Sequence, residues 1–361
     1  MKKRGLIVHF SDFTLPGGVN KVVSESLEHL SGIGISVDLA QPFFPSGDFY
    51  GDFKLLDECV TGKIGLIFNV EKFVKRIEEV TKKYDYTFVV IHGHLTTASH
   101  RIAARIKRNV GKVILHPHYD NYVETMFAKP LFPIFNRIIR FTSIKNYDEV
   151  IVGSEFERDA FTKDVGRSNI TVIPLGIDIE PNSRNRNLTE NIEMVYCGHL
   201  LNRKRIDITI RILSELTKID KLKPRLKIIG EGGVKRRLIQ LSEDLNVSHL
   251  IEWRGFLPKG EMLSEMSKSD FFMLFSESEA FAITVAECLA LGTPCILADK
   301  TALSEHACED GSILVKYPVN PENVAQKMKS MVGGELKVGL SGKRVKPWKA
   351  VIEGYSKVYI R

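Results

Sequence analysis

The sequence has no run approaching the roughly 20 apolar residues that a membrane-spanning helix needs and no Cys-x-x-Cys pair. The first absence excludes an ordinary transmembrane span. The second leaves five scattered cysteines, Cys59, Cys197, Cys288, Cys295 and Cys308, which read as reduced buried thiols and not as a zinc site or disulfide framework. Internal repeats and low-complexity tracts are also missing. No Asp-x-Asp pattern occurs, and the complete dinucleotide-binding fingerprint is absent, since Gly230-Glu231-Gly232-Gly233 continues into Val234 and Lys235. Lys2, Lys3 and Arg4 precede an apolar run that stops at Phe10, too short for the core of a secretory signal. The expectation is a protein kept in the cytoplasm.

What is present describes an ordinary globular chain. Its 361 residues suffice for two domains with separate cores, and 43% hydrophobic with 26% charged residues is the usual balance. The net charge of +7 is uneven: the first 180 residues carry 23 basic and 22 acidic side chains, the remainder 28 and 22. A basic C-terminal half suits a diphosphate, a polyanion or an acidic membrane surface. Nucleic acid is not expected, because Arg203-Lys204-Arg205 and Lys235-Arg236-Arg237 have no interleaved aromatics and no reading motif beside them.

Short apolar runs alternate with helical stretches, the pattern of parallel sheets buried on both faces. The first series runs from the strand Gly5–Phe10 to Thr171–Ile173, with helices expected at Asn20–Leu30, Val70–Lys83, Thr97–Asn109 and Glu155–Asp164. The polar, proline-containing stretch Pro174–Asn191 reads as a linker. A second series follows, with strands from Glu193–Cys197 to Pro294–Leu297 and helices near Ile206–Thr217, Val234–Leu245, Lys259–Ser267 and Ile283–Leu291. Apolar side chains at helical spacing from Trp348 to Tyr359 predict a closing amphipathic helix. The domains expected are 1–180, joined by 347–361, and 181–346, both α/β and doubly wound, with ligand between the carboxyl ends of their strands.

Three segments carry chemistry. In Ser276-Glu277-Ser278-Glu279-Ala280-Phe281-Ala282-Ile283 a strand gives way to a helix expected to begin near Phe281, and its free amides suit a diphosphate. Were Glu279 and Glu287 both helical, they would lie about 12 Å apart along the axis at 1.5 Å per residue, too far for a hydrolytic carboxylate pair. They are expected to hold different parts of one ligand. A basic cluster at Arg203-Lys204-Arg205 opens the helix after the strand ending at Cys197, where an anion would offset the unfavourable dipole. Gly17 and Gly18 follow the first strand and permit a tight turn. Finally, His116 and His118 end one strand, and His92 and His94 another, where they could line an acceptor side.

The segment Glu279, Phe281, Glu287, Gly292, Pro294 resembles the E-x7-E signature of the family 4 retaining glycosyltransferases, with Ala280 and Ala282 where that family most often has glycine. Val195-Tyr196-Cys197-Gly198-His199 with downstream Lys204 is similar to the family's strand, glycine, basic residue and lysine. His199 stands where the family carries arginine. Further likeness lies in the Gly-Gly-Val loop at Gly17, in Val150–Phe156, Ile173–Asp178 and Ile228–Gly232.

The resemblance implies a GT-B fold, two Rossmann-like domains facing across a cleft, and transfer of a hexose-type sugar from a nucleotide-diphosphate donor with retention. It implies donor contacts at Gly17, Gly18, His199, Arg203, Lys204, Phe281, Ala282, Ile283 and Glu287, with Glu279 on the sugar. It implies catalytic placement of His118, which orients a hydroxyl or steadies positive charge through its carbonyl. No cofactor or metal is expected, since fixed cations would neutralise the leaving group. The acceptor is a glycan, a lipid-linked sugar or a small molecule. The segment Phe127–Phe141, mixing aromatic, aliphatic and basic residues, either docks on a bilayer at the cytoplasmic face or packs as a core connector. A nucleotide-sugar epimerase or hydrolase, and a non-catalytic nucleotide-sugar or glycan-binding protein, are the alternatives.

Overall fold

A computed structural model describes residues 3–14, 17–42, 53–56, 70–94, 96–119, 122, 130–180, 183–340 and 345–361. The chain divides into two compact units, Met1–Gly176 with Lys346–Arg361, and Ile177–Val345. Leu15, Pro16, Asp120 and the first part of the Phe127–Phe141 segment lie outside the described residues.

The first unit is a seven-stranded parallel sheet. Its strands are β1 (Arg4–Val8), β2 (Ser36–Ala40), β3 (Phe53–Leu55), β4 (Phe88–His92), β5 (Lys112–His116), β6 (Glu149–Val152) and β7 (Thr171–Val172), in spatial order 3-2-1-4-5-6-7. Helices α1 (Gly18–Gly32), α2 (Val70–Lys83), α3 (Thr97–Ile106), α4 (Phe132–Thr142) and α5 (Glu155–Val165) connect them. The sheet order reverses between β1 and β4, and in such sheets ligands bind at the carboxyl ends of the strands flanking that reversal. Leu6, Val8, Val89, Ile91, Val113 and Leu115 are fully buried, so the strands are apolar throughout because helices cover both faces.

The second unit repeats the plan with β9 (Asn191–Cys197), β10 (Lys223–Ile229), β11 (Ile251–Gly255), β12 (Phe271–Leu274), β13 (Cys295–Asp299) and β14 (Ser312–Lys316). These are parallel in the order 11-10-9-12-13-14. Helices α6 (Ile206–Thr217), α7 (Lys235–Asp244), α8 (Lys259–Lys268), α9 (Ile283–Ala290) and α10 (Pro321–Met331) complete it. Its reversal lies between β9 and β12.

One expectation needs correction. The polar run in the expected linker is not irregular: Arg184–Asn187 forms strand β8, antiparallel to β15 (Glu335–Val338). Arg184 and Arg186 there donate to the carbonyls of Gly292 and Ser267, which fixes an otherwise solvent-exposed strand. The helix expected at Ile283–Leu291 runs Ile283–Ala290, two residues beyond the start near Phe281. Phe132–Thr142, which the sequence reading did not assign to a helix, is a regular helix. The closing helix α11 (Trp348–Tyr359) returns to the first unit and buries Trp348, Val351, Ile352, Tyr355 and Tyr359, as its spacing requires.

Candidate donor-binding site

The strongest cluster of chemistry sits at the reversal of the second unit. After β9 the chain turns through Gly198, where φ is +148°, and then makes a short turn at Asn202–Lys204. The loop after β10 runs alongside. A Cβ on Gly230 would stand 2.0 Å from the Gly198 carbonyl oxygen, and one on Gly232 would stand 2.3 Å from that of Leu200. These glycines serve close approach of two backbones, a job distinct from the dinucleotide fingerprint their spacing half imitates.

The Arg203–Arg205 segment is fastened to the loop following β12. The Arg203 carbonyl accepts from the Glu277 amide at 2.7 Å and from Ser276 Oγ at 3.1 Å, and Arg203 Nη1 donates to the Ser278 carbonyl at 2.9 Å. Lys204 Nζ is paired with Glu279 Oε1, and both side chains are largely removed from solvent. Arg205, in the left-handed region at φ +50°, donates from Nε and Nη2 to the Asp207 carboxylate, each at 3.0 Å, and from Nη1 to Glu277 at 3.0 Å. Tyr317 Oη also donates to Glu277 at 3.0 Å. The cation cluster is therefore internally neutralised, which weakens the inference of an anion from its helix-start position alone. Sequence reading missed Glu277, Asp207 and Tyr317. Asp207 was open to discovery, because an acid in the first turn behind Arg205 is a favourable dipole partner.

Helix α9 starts at Ile283, four residues after Glu279. Its N-cap is Ala282, at φ +67° and ψ +66°, with no side-chain cap. A left-handed alanine carries a methyl where glycine has none, and the family's usual glycine at this place is understood from that geometry. Phe281 is buried, and its carbonyl accepts from His306 Nε2 at 3.0 Å, which holds the turn. Because Glu279 precedes the helix, the axial separation from Glu287 derived for two helical residues does not apply. Glu287 is buried one turn inside α9. Burial first, and the Glu287 charge second, push the Cys197 thiol up to about 12, so this carboxylate lies close to the end of β9. Burial and then the Glu279 charge likewise push the Tyr196 phenol well up. Tyr196 Oη donates to the His199 carbonyl at 2.9 Å, and His199 itself is exposed.

Lys204, Arg203, Glu279, Phe281, Ala282, Ile283 and Glu287 thus belong to one end of one sheet. Gly17, Gly18 and His118 belong to the first unit. Gly17 is the extended N-cap of α1, and a Cβ there would meet nothing nearer than 3.8 Å, so close packing does not demand glycine. His118, at φ +49°, follows β5 and is half-buried. His92 Nδ1 and His118 Nε2 are 2.9 Å apart, and His116 Nε2 lies 2.9 Å from Tyr359 Oη. Burial, then repulsion from His9, holds the His118 imidazole down at about 3. Burial likewise keeps His92 and His116 far below the ordinary imidazole range.

Among the described residues His92, His116 and His118 form the one group able to offer three metal-ligating atoms, within 4.8 Å of one another. The His92 and His118 rings lie 16° from parallel with centroids 5.2 Å apart. His92 Nδ1 and His118 Nε2 lie within hydrogen-bond distance of each other.

Paired parallel α/β units, with a lysine, a glutamate and a helix tip at the second unit's reversal, define the class as a GT-B glycosyltransferase. Comparison with known proteins gives the family. Residues 16–181 match Glycosyltransferase Family 4 and residues 178–339 match Glycosyl transferases group 1, and the chain belongs to this family of transferases.

It is 25% identical over 230 residues to a GDP-mannose-dependent alpha-(1-6)-phosphatidylinositol dimannoside mannosyltransferase of Mycobacterium tuberculosis, a match covering 61% of this chain and 58% of that protein. It is 26% identical over 234 residues to the GDP-mannose:cellobiosyl-diphosphopolyprenol alpha-mannosyltransferase of Xanthomonas campestris, covering 62% and 59%. The chain therefore spans somewhat over half the length of these curated relatives. Among solved structures, sucrose-phosphate synthase from Thermosynechococcus elongatus superposes with a TM-score of 0.76 at 18% identity, covering 99% of this chain and 98% of the other. HepE from Anabaena, in complex with UDP-glucose, gives 0.70 at 14% identity, covering 99% and 95%. These structures share the fold.

Proposed function

We propose that the chain is a retaining, metal-independent glycosyltransferase that moves a hexose-type sugar from a nucleotide-diphosphate donor to a glycan, lipid-linked or small-molecule acceptor. The observation that supports it most is the pairing of Lys204 with Glu279 in the loop that leads into the α9 N-terminus. A departing nucleotide diphosphate gains negative charge, and fixed cations with oriented amides stabilise it where it develops. On donor binding Lys204 exchanges Glu279 for a phosphate oxygen. Glu279, released, accepts from sugar hydroxyls. Arg203 and the amides around Phe281–Ile283 share the diphosphate, Glu287 takes ribose hydroxyls, and Gly17 and Gly18 leave the backbone open to the donor.

His118 is uncharged in its setting, so it orients a hydroxyl or lends its carbonyl and does not act as a cationic acid. Retention follows from front-face attack, with the leaving phosphate oxygen taking the acceptor proton. The bonds made and broken are one glycosidic C–O each. The donors and acceptors for which the relatives are named, GDP-mannose with phosphatidylinositol dimannoside or a diphosphopolyprenol sugar, favour a nucleotide-sugar donor and a lipid-linked acceptor for this chain.

A thermal-shift panel of UDP-, GDP- and ADP-sugars tests the reading. One donor should raise the unfolding temperature, since a ligand bound only by the native state stabilises it. Lys204→Met should weaken that donor by about 10- to 100-fold, the worth of one charged hydrogen bond. Turnover should survive EDTA. Loss with EDTA that manganese restores refutes metal independence, release of an epimerised sugar from donor alone favours the epimerase, and no stabilisation by any nucleotide sugar removes the proposal.

A further inference from the structure

Helix α4 has two apolar faces, and the core uses one. Phe132, Phe135 and Ile139 face inward against the first unit's core, and Asn136 is buried between His94 and Tyr119. Leu131, Ile134, Ile138 and Phe141 point the other way, 62%, 56%, 54% and 68% exposed. Their spacing of three, four and three residues keeps them within an arc of about 80° at 3.6 residues per turn. They are four of the six large apolar side chains exposed among the described residues. Scattered exposed apolar residues need no explanation, whereas a contiguous stripe does.

The charge around the stripe says what covers it. Arg137 borders it on one flank, and Arg140 and Lys145 are exposed close by. No acidic residue occurs from Leu131 to Tyr147. A second protein copy meeting this face would set like charges against each other. An anionic bilayer offers acyl chains to the stripe and headgroup phosphates to the cations, whose long stems reach past apolar surface to keep the charge at the interface. The helix is 11 residues long, and no helix among the described residues is long and apolar enough to cross a membrane. Such a helix lies in the interface.

We infer that the outer face of α4 is a binding site for an anionic lipid surface, through which the protein works on a membrane-borne acceptor. The second clause rests on the transferase reading; the first does not. The N-terminal cap of the helix, Leu131, is itself part of the stripe, so insertion needs no local unfolding.

The test uses the full chain and vesicles of phosphatidylcholine alone or with phosphatidylglycerol. The wild type should float with the anionic vesicles, bind the neutral ones at least tenfold more weakly, and lose affinity as salt is raised. Ile134→Ser/Ile138→Ser/Phe141→Ser and, separately, Arg137→Ala/Lys145→Ala should each reduce anionic-vesicle binding by tenfold or more. These side chains are exposed, so the unfolding temperature should stay unchanged and serves as the check on folding. Transfer to a water-soluble acceptor should continue in both variants while transfer to acceptor embedded in vesicles falls. Absence of vesicle binding by the wild type, wild-type binding retained by both variants, or a wild-type dimer that the serine variant converts to monomer overturns the inference. If the chain floats but transfers no sugar, the transferase reading fails and the lipid site stands.

Discussion

Lowering the pH from 7 to 5 should destabilise the first unit far more than the second, because its buried histidines are held uncharged. His94 is held down at about 4 and His100 at about 3, each chiefly by burial, with repulsion from His94 adding to the second. An unfolded histidine titrates near 6.5, so below that pH the unfolded chain takes up protons that the native fold refuses. Their contribution is complete above pH 6.5 and is lost progressively as pH falls toward their folded values. Over the span from 6.5 to 5 each loses about 2 kcal/mol at 1.36 kcal/mol per pH unit, or about 4 kcal/mol for the pair. That is a large share of a typical total of about 5–15 kcal/mol. His92, His116 and His118 act in the same direction. Carboxylates are mostly ionised in both states over this window, so it belongs to imidazole. The buried Trp348 reports on the first unit once Trp253→Phe silences the second. Its urea midpoint should fall steeply from pH 7.5 to 5, and His100→Gln should flatten the dependence. An unchanged midpoint, or one that rises on acidification, refutes the reasoning.

Two glycine-related predictions concern the second unit. Gly230→Ala should cost about 2 kcal/mol or more, since its methyl would fall on the Gly198 carbonyl at a φ of +133°, whereas Gly233→Ala, with open space around it, should stay within about 0.5 kcal/mol; equal melting shifts would contradict the packing account. Ala282→Gly should raise stability by about 0.5–1 kcal/mol, the relief of a left-handed alanine less the entropy that glycine adds to the unfolded chain. A lowered melting temperature would show that the methyl packs usefully.

The two-unit organisation was legible because strands buried on both faces leave continuous apolar runs, as Lys112–His116 and Glu149–Val152 do. Helix α6 was legible for the complementary reason, its apolar stripe beginning right after a turn. Strand β8 was not: Arg184-Asn185-Arg186-Asn187 has no apolar alternation, and it is a strand because β15 and two distant carbonyls hold it. In the candidate site, the loop–helix junction at Glu279 and the lysine at 204 were readable as types of residue at the ends of strands. Their pairing was not, since a contact across 75 residues leaves no local signal. The outward stripe of α4 was visible as composition, and only the helix orientation separates its two apolar faces.

The Lys204–Glu279 pair also bears on how the site could work. A partly buried carboxylate left alone is costly, so in the unliganded chain the lysine stabilises Glu279 as much as Glu279 positions the lysine. A ligand carrying only a phosphate would draw Lys204 away and leave Glu279 uncompensated. A ligand carrying both a diphosphate and a ring of hydroxyls satisfies each partner at once, since the phosphate replaces the carboxylate at Lys204 and the hydroxyls replace the ammonium at Glu279. On the proposed reading the site requires both halves of the donor, and free nucleoside diphosphate should then bind less tightly than its sugar ester.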